Sequence, residues 1–491
     1  MAMKPIRMSL AVIAAVLAVN GAPGSLAAQA EAAAAGAETI TAADLRFRIG
    51  ALAHDSMRGR ATPSPELDKA ARHIARRFEE FGLQPADGDS YLQAYPLTAS
   101  RAGAPGRQLV EIDGPGGGAL AESDYIAVAG GRGQAAGPLA IVSLTAADPP
   151  TGAIALMRVT PEDTRRALES IRGVLESGAV AVLLAIDASD DYFDAIRRFY
   201  EGERLSVGVP EELGAPIAFV RASALPETLQ AALSAGGSTN AYEATVRTHS
   251  EFREERAFNT IGWIEGSDPD LRDEFVVLTA HMDHVGVGRP INGDSIYNGA
   301  DDDASGTAAI VELAEAFASL ETSPRRSIVF MTVSGEERGL LGSAWYAQNP
   351  LFPIGATVAN LNIDMIGRNW RDTVVAIGRD ESTLGTALEE TLREHPELGL
   401  EMIDDPWPEE NFYIRSDHYN FARKGVPILF FFTGTHEDYH GPNDEADRIL
   451  YEKTARITRL IFHLGRRIAD AEGRPEWDPA AYRRVVEGGR G

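Results

Sequence analysis

The chain has 491 residues, no cysteine and a formal charge of −26, from 46 Lys and Arg against 72 Asp and Glu. This length exceeds one ordinary hydrophobic core and predicts two or three domains. The acidic balance argues against nucleic acid or another polyanion as a partner. The absence of cysteine excludes disulfides and thiolate metal ligands.

The first 30 residues have the pattern of a secretory signal peptide. Lys4 and Arg7 precede an apolar stretch at 8–19, and Ala28 and Ala30 provide a small-residue cleavage site. This stretch is too short for a membrane span, which takes about 20 residues. We therefore expect an exported protein, periplasmic or extracellular, with no membrane span once the signal is removed. The sequence leaves the oligomeric state open.

Residues 41–104 are predicted to form the first part of a catalytic domain. Apolar residues recur there at the spacing of one helix face, and Gly82 is placed as a stop signal. The apolar residues are Leu67, Ala70, Ala71, Ile74, Phe78 and Phe81. A stretch rich in Gly, Pro and Ala at 99–118 then breaks the pattern, as a linker does, and places a boundary near residue 104.

Residues 105–250 are predicted to form an inserted, smaller, β-rich α/β domain. Short apolar runs at 153–157, 180–184 and 217–220 flank one helical stretch at 161–177. This order of strand, helix and strand resembles the protease-associated domain that is inserted into some exopeptidases.

From 251 to 475 the sequence predicts the main part of the catalytic domain, an α/β fold with a doubly wound, mostly parallel central sheet flanked by helices. The predicted strands lie at 275–280, 328–333, 358–363 and 427–432, and the predicted helices at 306–320 and 451–471. In such sheets ligands bind beyond the carboxyl ends of the strands.

Five motifs rich in acids and histidine occur in this part, most of them at or just beyond strand ends. The metal ligands they offer are His281, Asp302, Glu337, Asp364 and His440. Zinc accepts imidazole nitrogen and carboxylate oxygen, and two ions about 3.5–4 Å apart can share a bridging carboxylate. Glu336, next to Glu337, is a spare acid.

Each motif alone also has an ordinary structural interpretation. The run from Asp301 to Asp303 can cap the following helix, and Glu336 and Glu337 can be surface acids. His281 can be a loop histidine. The five motifs together, in this order, favour a two-metal hydrolytic site.

These residues resemble the zinc exopeptidase family that includes bacterial leucyl aminopeptidases, aminopeptidase Y, glutamate carboxypeptidases and glutaminyl cyclases. The resemblance covers residues 250–475 and, less closely, 41–98. It implies that His281 and Asp364 hold one zinc ion, that Glu337 and His440 hold the other, and that Asp302 bridges the two. Cobalt or manganese are possible substitutes, since both accept the same ligands.

The resemblance also implies catalytic roles. Glu336 would be the general base and acid. Asp283 would accept the other imidazole N–H of His281 and fix its tautomer. Tyr413 would stabilise the oxyanion, with Tyr439 as the alternative. Arg368 would contact a substrate carboxylate or form an internal ion pair.

The expected function is that of an exported aminopeptidase that removes N-terminal residues from peptides. A carboxypeptidase or dipeptidase of the glutamate carboxypeptidase type would share all five ligands. A glutaminyl cyclase, which usually departs from the full two-metal set, is disfavoured because all five ligands are present. A non-catalytic binding protein on the same fold would lack ligands or the base.

Overall fold

The computed structural model describes residues 35–104, 106–128, 131–144, 149–208, 214–235 and 241–488. The predicted signal peptide, residues 1–30, lies outside the described residues. Within them, no helix combines the length and the apolar character that crossing a bilayer requires.

Strands and helices are numbered here in chain order. The strands are β1 (Gln84–Pro85), β2 (Leu92–Ala102), β3 (Leu109–Asp113), β4 (Gly118–Ala119), β5 (Tyr125–Ala127), β6 (Gly133–Ile141), β7 (Ile154–Val159), β8 (Ala181–Ile186), β9 (Arg204–Val207), β10 (Ile217–Arg221), β11 (Glu243–Thr248), β12 (Ser250–Ile264), β13 (Phe275–His281), β14 (Gly286–Ile291), β15 (Asp294–Tyr297), β16 (Ser327–Val333), β17 (Thr357–Ile363), β18 (Thr373–Ile377), β19 (Glu401–Ile403) and β20 (Ile428–Phe432). The helices are α1 (Ala42–Leu52), α2 (Pro65–Glu80), α3 (Thr164–Glu176), α4 (Asp190–Glu201), α5 (Glu227–Ala235), α6 (Ala304–Ala318), α7 (Leu341–Gln348), α8 (Leu384–Glu394), α9 (His418–Ala422), α10 (Tyr451–Asp470) and α11 (Pro479–Tyr482).

The larger sheet has ten strands in the order β19-β18-β20-β17-β13-β16-β12-β2-β9, with β1 beside β12. Its centre, β16-β13-β17-β20, is parallel. The strands outside the centre add antiparallel pairs, such as β18 with β20 and β12 with β2. Helices α2, α6, α8 and α10 pack on one face, and α7 and α9 on the other. The predicted α/β class with helices on both faces is confirmed, and the parallel pairs are those of the centre and the edge pair β18 with β19.

The four predicted strands and two predicted helices of the main catalytic part are observed within two residues at each end. The strands could be predicted from the sequence because strands buried on both faces form nearly continuous apolar runs. Every residue of β13, β16, β17 and β20 is buried.

The smaller sheet has eight strands in the order β4-β3-β11-β6-β7-β8-β10-β5. Strands β6, β7, β8 and β10 are parallel. Helices α3 and α4 cover one face and α5 covers the other. The expectation of one helix in this region was wrong. Charged residues interrupt the apolar positions of α4, so that only Phe193, Ile196 and Tyr200 face the core.

The two sheets are joined by a long antiparallel pair, β2 and β12, which stays in register from Leu92 opposite Thr260 to Ala102 opposite Ser250. The stretch predicted as a linker therefore begins inside a strand. Strand β9 falls within the predicted insert, yet it pairs with β2 at the edge of the larger sheet. The domain limits 41–104, 105–250 and 251–475, and the protease-associated character of the insert, stay predictions.

Candidate metal centre

The predicted ligands converge at the carboxyl ends of the parallel strands. His281 is the last residue of β13, Glu337 lies in the turn after β16, and Asp364 directly follows β17. Asp302 precedes α6, and His440 lies in the loop from β20 to α10. Strand ends at one sheet edge bring these distant residues together, as open α/β sheets do for their ligands.

Asp302 stands between two groups of ligand atoms. Its Oδ1 lies 3.3 Å from His281 Nε2, which is also 3.4 Å from Asp364 Oδ1. Its Oδ2 lies 3.1 Å from His440 Nε2, which is also 3.1 Å from Glu337 Oε2. One carboxylate thus faces both groups, one with each oxygen.

His284 joins the second group, although the sequence interpretation did not assign it a role. Its Nδ1 lies 2.9 Å from Glu337 Oε1 and 3.6 Å from Asp302 Oδ2. With these two acids it forms a compact set that could hold a metal ion. The signal was present in the sequence, since His284 comes three residues after His281 in the same turn.

The residues present fit zinc. Asp302 Oδ2 and Asp364 Oδ1 are buried and have no hydrogen-bond partner within the described chain, a costly state for a carboxylate oxygen unless a cation satisfies it. Donor atoms 3.1–3.4 Å apart match tetrahedral zinc, whose bonds to nitrogen and oxygen are about 2.0–2.1 Å. Burial acts to raise the pKa of Asp302, but His284, His281 and His440 outweigh it and hold the pKa well below its ordinary value.

Backbone hydrogen bonds to buried acids hold the turn around Asp302 in place. Asp303 Oδ1 accepts from the amides of Gly306 and Met365, so Asp303 caps α6, as its position before the helix suggested. Asp444 accepts from the amides of Asp301 and Asp302 at 3.0–3.1 Å. These acids fix the backbone that presents the shared carboxylate.

Arg60 ties the N-terminal part of the chain to the site. Its buried guanidinium donates to four backbone carbonyls, at 2.7–2.9 Å. The acceptors are Leu52, Met282, Asn298 and Gly299. Met282 and Gly299 lie next to motif residues, so this arginine positions two ligand-bearing turns together.

The carboxylate of Asp283 does not contact the imidazole of His281 as expected. The nearest acceptor to His281 Nδ1 is the backbone carbonyl of Asp283 at 3.1 Å, whereas the carboxylate oxygen is 3.8 Å away. That carboxylate instead accepts from Thr62 Oγ1 at 2.8 Å and from the amide of Glu336 at 3.2 Å. Because the chain turns directly after β13, Asp283 faces the turn that carries Glu336.

The structure does not bring Tyr413 to the metal centre, so its predicted role is corrected. The rings of His418 and Tyr419 contact its ring, and it lines a separate cavity with Glu381 and Arg484. Tyr439 lies at the centre instead and stacks on His440 at 3.9 Å between ring centroids. Burial raises the pKa of Tyr439, and the charges of Asp302 and Glu337 raise it further.

Arg368 forms an internal ion pair, the second of the two roles considered for it. Its Nη2 lies 2.8 Å from Asp438 Oδ2, which also binds Arg448 at 2.9 Å. Asp438 lies two residues before His440, so this pair of arginines anchors the loop that carries the ligand.

Glu336 is a half-buried residue that lies beside the ligands. Desolvation raises its pKa well above the ordinary value. The charge of His281 opposes that shift, whereas those of Asp417 and Asp364 reinforce it. A carboxyl group whose pKa is raised holds a proton more readily, which suits a general acid and base.

A small cavity opens beside the first ligand group. Site residues His281, Asp302, Glu336 and Asp364 form one wall. The rest is largely apolar or aromatic and is formed by Met365, Phe412, Phe430, Phe432 and Tyr439, with Arg415, Ser416 and Thr435. An apolar cavity with a few converging polar groups is typical of a small-molecule or side-chain binding site.

The site thus combines buried carboxylates and histidines at the carboxyl end of an α/β sheet with an apolar cavity, an arrangement typical of metal-dependent hydrolases. Residues 259–465 match the model of Peptidase family M28. This part of the chain, less than half of its length, is similar to that family of peptidases.

Characterised relatives match part of the chain. A glutamate carboxypeptidase 2 homolog from Caenorhabditis elegans is 29% identical over 218 residues, 40% of this chain and 26% of that protein. Aminopeptidase YwaD of Bacillus subtilis is 25% identical over 231 residues, 45% of this chain and 47% of that protein. The chain thus spans a quarter to a half of the length of these curated relatives.

A solved structure matches nearly the whole fold. The aminopeptidase from Aneurinibacillus sp. strain AM-1 is similar with a TM-score of 0.55 and 20% identity, over 90% of this chain and 97% of that chain. This likeness concerns the fold.

Proposed function

We propose that the protein is an exported two-zinc aminopeptidase that removes N-terminal residues from peptides. The observation that carries the proposal is the position of Asp302, whose two oxygens face two separate ligand groups. His281 and Asp364 would hold one ion, Glu337, His440 and His284 would hold the other, and Asp302 would bridge them. Export rests on the N-terminal sequence pattern.

The charges around the cavity favour a free amine over a free carboxylate. Glu336 and Asp364 form its wall, and both attract a cationic N-terminus. The one arginine among the cavity residues, Arg415, is exposed and paired with Glu410 at 3.0 Å. Arg368 and Arg448 are bound to Asp438. A substrate C-terminus therefore finds no unpaired arginine at the described ligands, as a carboxypeptidase would require.

Different residues of the chain would have different catalytic roles. Zinc, when bound, supplies Lewis acidity and lowers the pKa of water at the site. Glu336 takes a proton from the attacking water and delivers it to the leaving amine. Tyr439, which lines the cavity and stacks on His440, would donate a hydrogen bond to the developing oxyanion. The aromatic walls of the cavity, including Phe412 and Phe430, receive the N-terminal side chain and exclude water.

A panel assay tests this proposal. Purified zinc-loaded protein is given aminoacyl p-nitroanilides, N-acetylated peptides and a glutaminyl substrate, each with and without a chelator, and bound zinc is counted by mass spectrometry. We expect chelator-sensitive release from free-amine substrates alone and two ions per chain. Cleavage of N-acetylated peptides from the C-terminus would assign a carboxypeptidase, and a single ion would refute the bridging role of Asp302.

A further inference from the structure

A small hairpin connects two turns that carry residues of the metal centre. Strands β14 and β15 pair only with each other in the described chain, apart from both large sheets. The hairpin begins two residues after His284, which contacts Glu337, and its last residue, Tyr297, lies five residues before Asp302. Both ends are therefore fixed by ligand-bearing turns.

The start of β14 lies against the protein at a glycine, Gly286. A Cβ on Gly286 would come within 2.6 Å of the Ala61 side chain, and one on Gly288 within 2.7 Å of the Tyr297 ring. Gly59 approaches the same strand so closely that its Cβ would be 2.6 Å from the Gly286 carbonyl. Gly286 is the buried residue of β14, whereas the residues from Val287 to Ile291 are exposed.

Three apolar side chains of this segment are exposed, beside the exposed Arg289. Val285, Val287 and Ile291 keep 36%, 47% and 45% of their surface exposed. Single exposed apolar residues are common, but three within seven positions beside a catalytic centre indicate a contact surface. The hairpin surface is defined here as the side chains of these three residues.

We propose that the hairpin surface binds the third and fourth residues of a peptide substrate and favours apolar side chains there. This inference rests on the proposed function. The cavity lies beside His281 and Asp364, whereas the hairpin leaves from the side of His284 and Glu337. When the first residue of a peptide fills the cavity, the rest of the peptide extends past Asp302 toward the hairpin.

The distances suit such a peptide. Val287 follows His284 by three positions, so the two residues lie at most about 10 Å apart along the chain. An extended peptide covers the same distance with about three residues. Continuity with the metal centre therefore points to the substrate itself as the occupant of this surface.

The test compares three substrates. Leucine p-nitroanilide carries no residue beyond the scissile bond, whereas the tetrapeptides Leu-Ala-Val-Leu and Leu-Ala-Gly-Gly differ only at their third and fourth residues. If another N-terminal residue is cleaved faster in the panel assay, it replaces leucine in all three. The wild type should cleave the apolar tetrapeptide about tenfold more efficiently, which corresponds to about 1.4 kcal/mol.

The double variant Val287→Ser with Ile291→Ser should lose this preference to within about twofold while its kcat/KM for the anilide stays unchanged. Phe47→Ser is the matched control, because Phe47 is 72% exposed and lies on α1 outside the hairpin. It should behave as the wild type does. The single variant Val287→Ala serves if the double variant fails to fold, and should reduce the preference by about half.

A wild type that cleaves both tetrapeptides equally would overturn the inference, as would a folded double variant that keeps the preference. A double variant that changes only the sedimentation coefficient, from dimer to monomer, would assign the surface to contact between copies of the chain. Failure of the proposed function is separate, since it would appear as absent chelator-sensitive cleavage of the anilide by the wild type.

Discussion

The two sheets of this protein differ in whether they bury charged side chains. At the carboxyl edge of the larger sheet Asp283, Asp301, Asp302 and Asp303 are at most 3% exposed. In the described residues between 106 and 248, the buried polar residues are Gln108 and Thr248, and neither is charged. Both sheets lie in the same acidic chain, so composition does not explain the difference. Acids are buried where a cation and backbone amides offset their desolvation, and they stay at the surface elsewhere.

The largest expected effect is on catalysis. Glu336→Gln removes the group that moves the proton and should lower kcat by about 10²–10⁴. Because Glu336 is not assigned as a ligand, bound zinc should stay at the wild-type level, which metal analysis of the same preparation measures. Glu162→Gln is the control from the smaller-sheet region, where the acid is exposed, and it should leave kcat unchanged. Wild-type turnover in Glu336→Gln would contradict the assignment.

Stability of the smaller sheet should depend on apolar packing alone. Leu183 is fully buried in β8, between β7 and β10. Leu183→Ala leaves a cavity and should lower the free energy of unfolding by about 2–5 kcal/mol. Urea unfolding followed by circular dichroism measures the loss. The folded variant should bind as much zinc as the wild type, and reduced zinc binding would show that the two sheets are coupled.

A smaller effect is expected from pH, through a buried histidine near the site. Burial lowers the pKa of His418 from 6.5 to about 3, so the folded protein keeps it neutral while the unfolded chain protonates near 6.5. Its contribution to stability is full above pH 6.5 and declines as the pH falls toward 3.

His418→Phe keeps a ring beside Phe430, on which His418 stacks at 4.5 Å, and cannot take up the proton. Between pH 6.5 and 5.5 the wild type should lose about 1 kcal/mol of unfolding free energy more than this variant. Parallel urea titrations at both pH values, on metal-free protein, measure the difference. Identical pH slopes would show that His418 is not held neutral.

The smallest effect is expected at an exposed ion pair. Arg158 and Asp187 join neighbouring parts of the smaller sheet with side chains 46% and 48% exposed. Arg158→Ala should change the unfolding free energy by about 0–1 kcal/mol, and salt should reduce even that. Urea unfolding at low and high ionic strength measures it. A loss well above 1 kcal/mol would mean that surface pairs contribute more to this sheet than the comparison implies.

The prediction from the sequence was most accurate for the buried, regular strands. The runs that became β13 and β16 are mostly apolar and fully buried, and each leads into candidate site residues, so strand and site could be predicted together. The sequence around β12, by contrast, is polar and gave no strand signal, although it forms 15 residues of strand. Its partner β2 lies some 150 positions earlier, and such a distant pairing leaves no local pattern.

Loop residues could be predicted only in part. The candidate ligands could be proposed because metal chemistry restricts the residue types, whereas the choice between Tyr413 and Tyr439 depended on the path of the loop before α9. The contact of His284 with Glu337 could have been predicted, since both residues lie shortly after neighbouring strands. The direction of the Asp283 carboxylate could not be predicted, because it depends on the conformation of a single residue in the turn.

The pairing of β9 with β2 limits how this protein can be shortened. Excising residues 103–249 would join Ala102 to Ser250, which already face each other across the sheet, so a tight turn could close the gap. The same deletion would remove β9 and uncover the outer edge of β2. A bare edge of this kind recruits strands from other molecules. A minimal catalytic fragment would therefore need a lysine or proline on β2 to stay soluble.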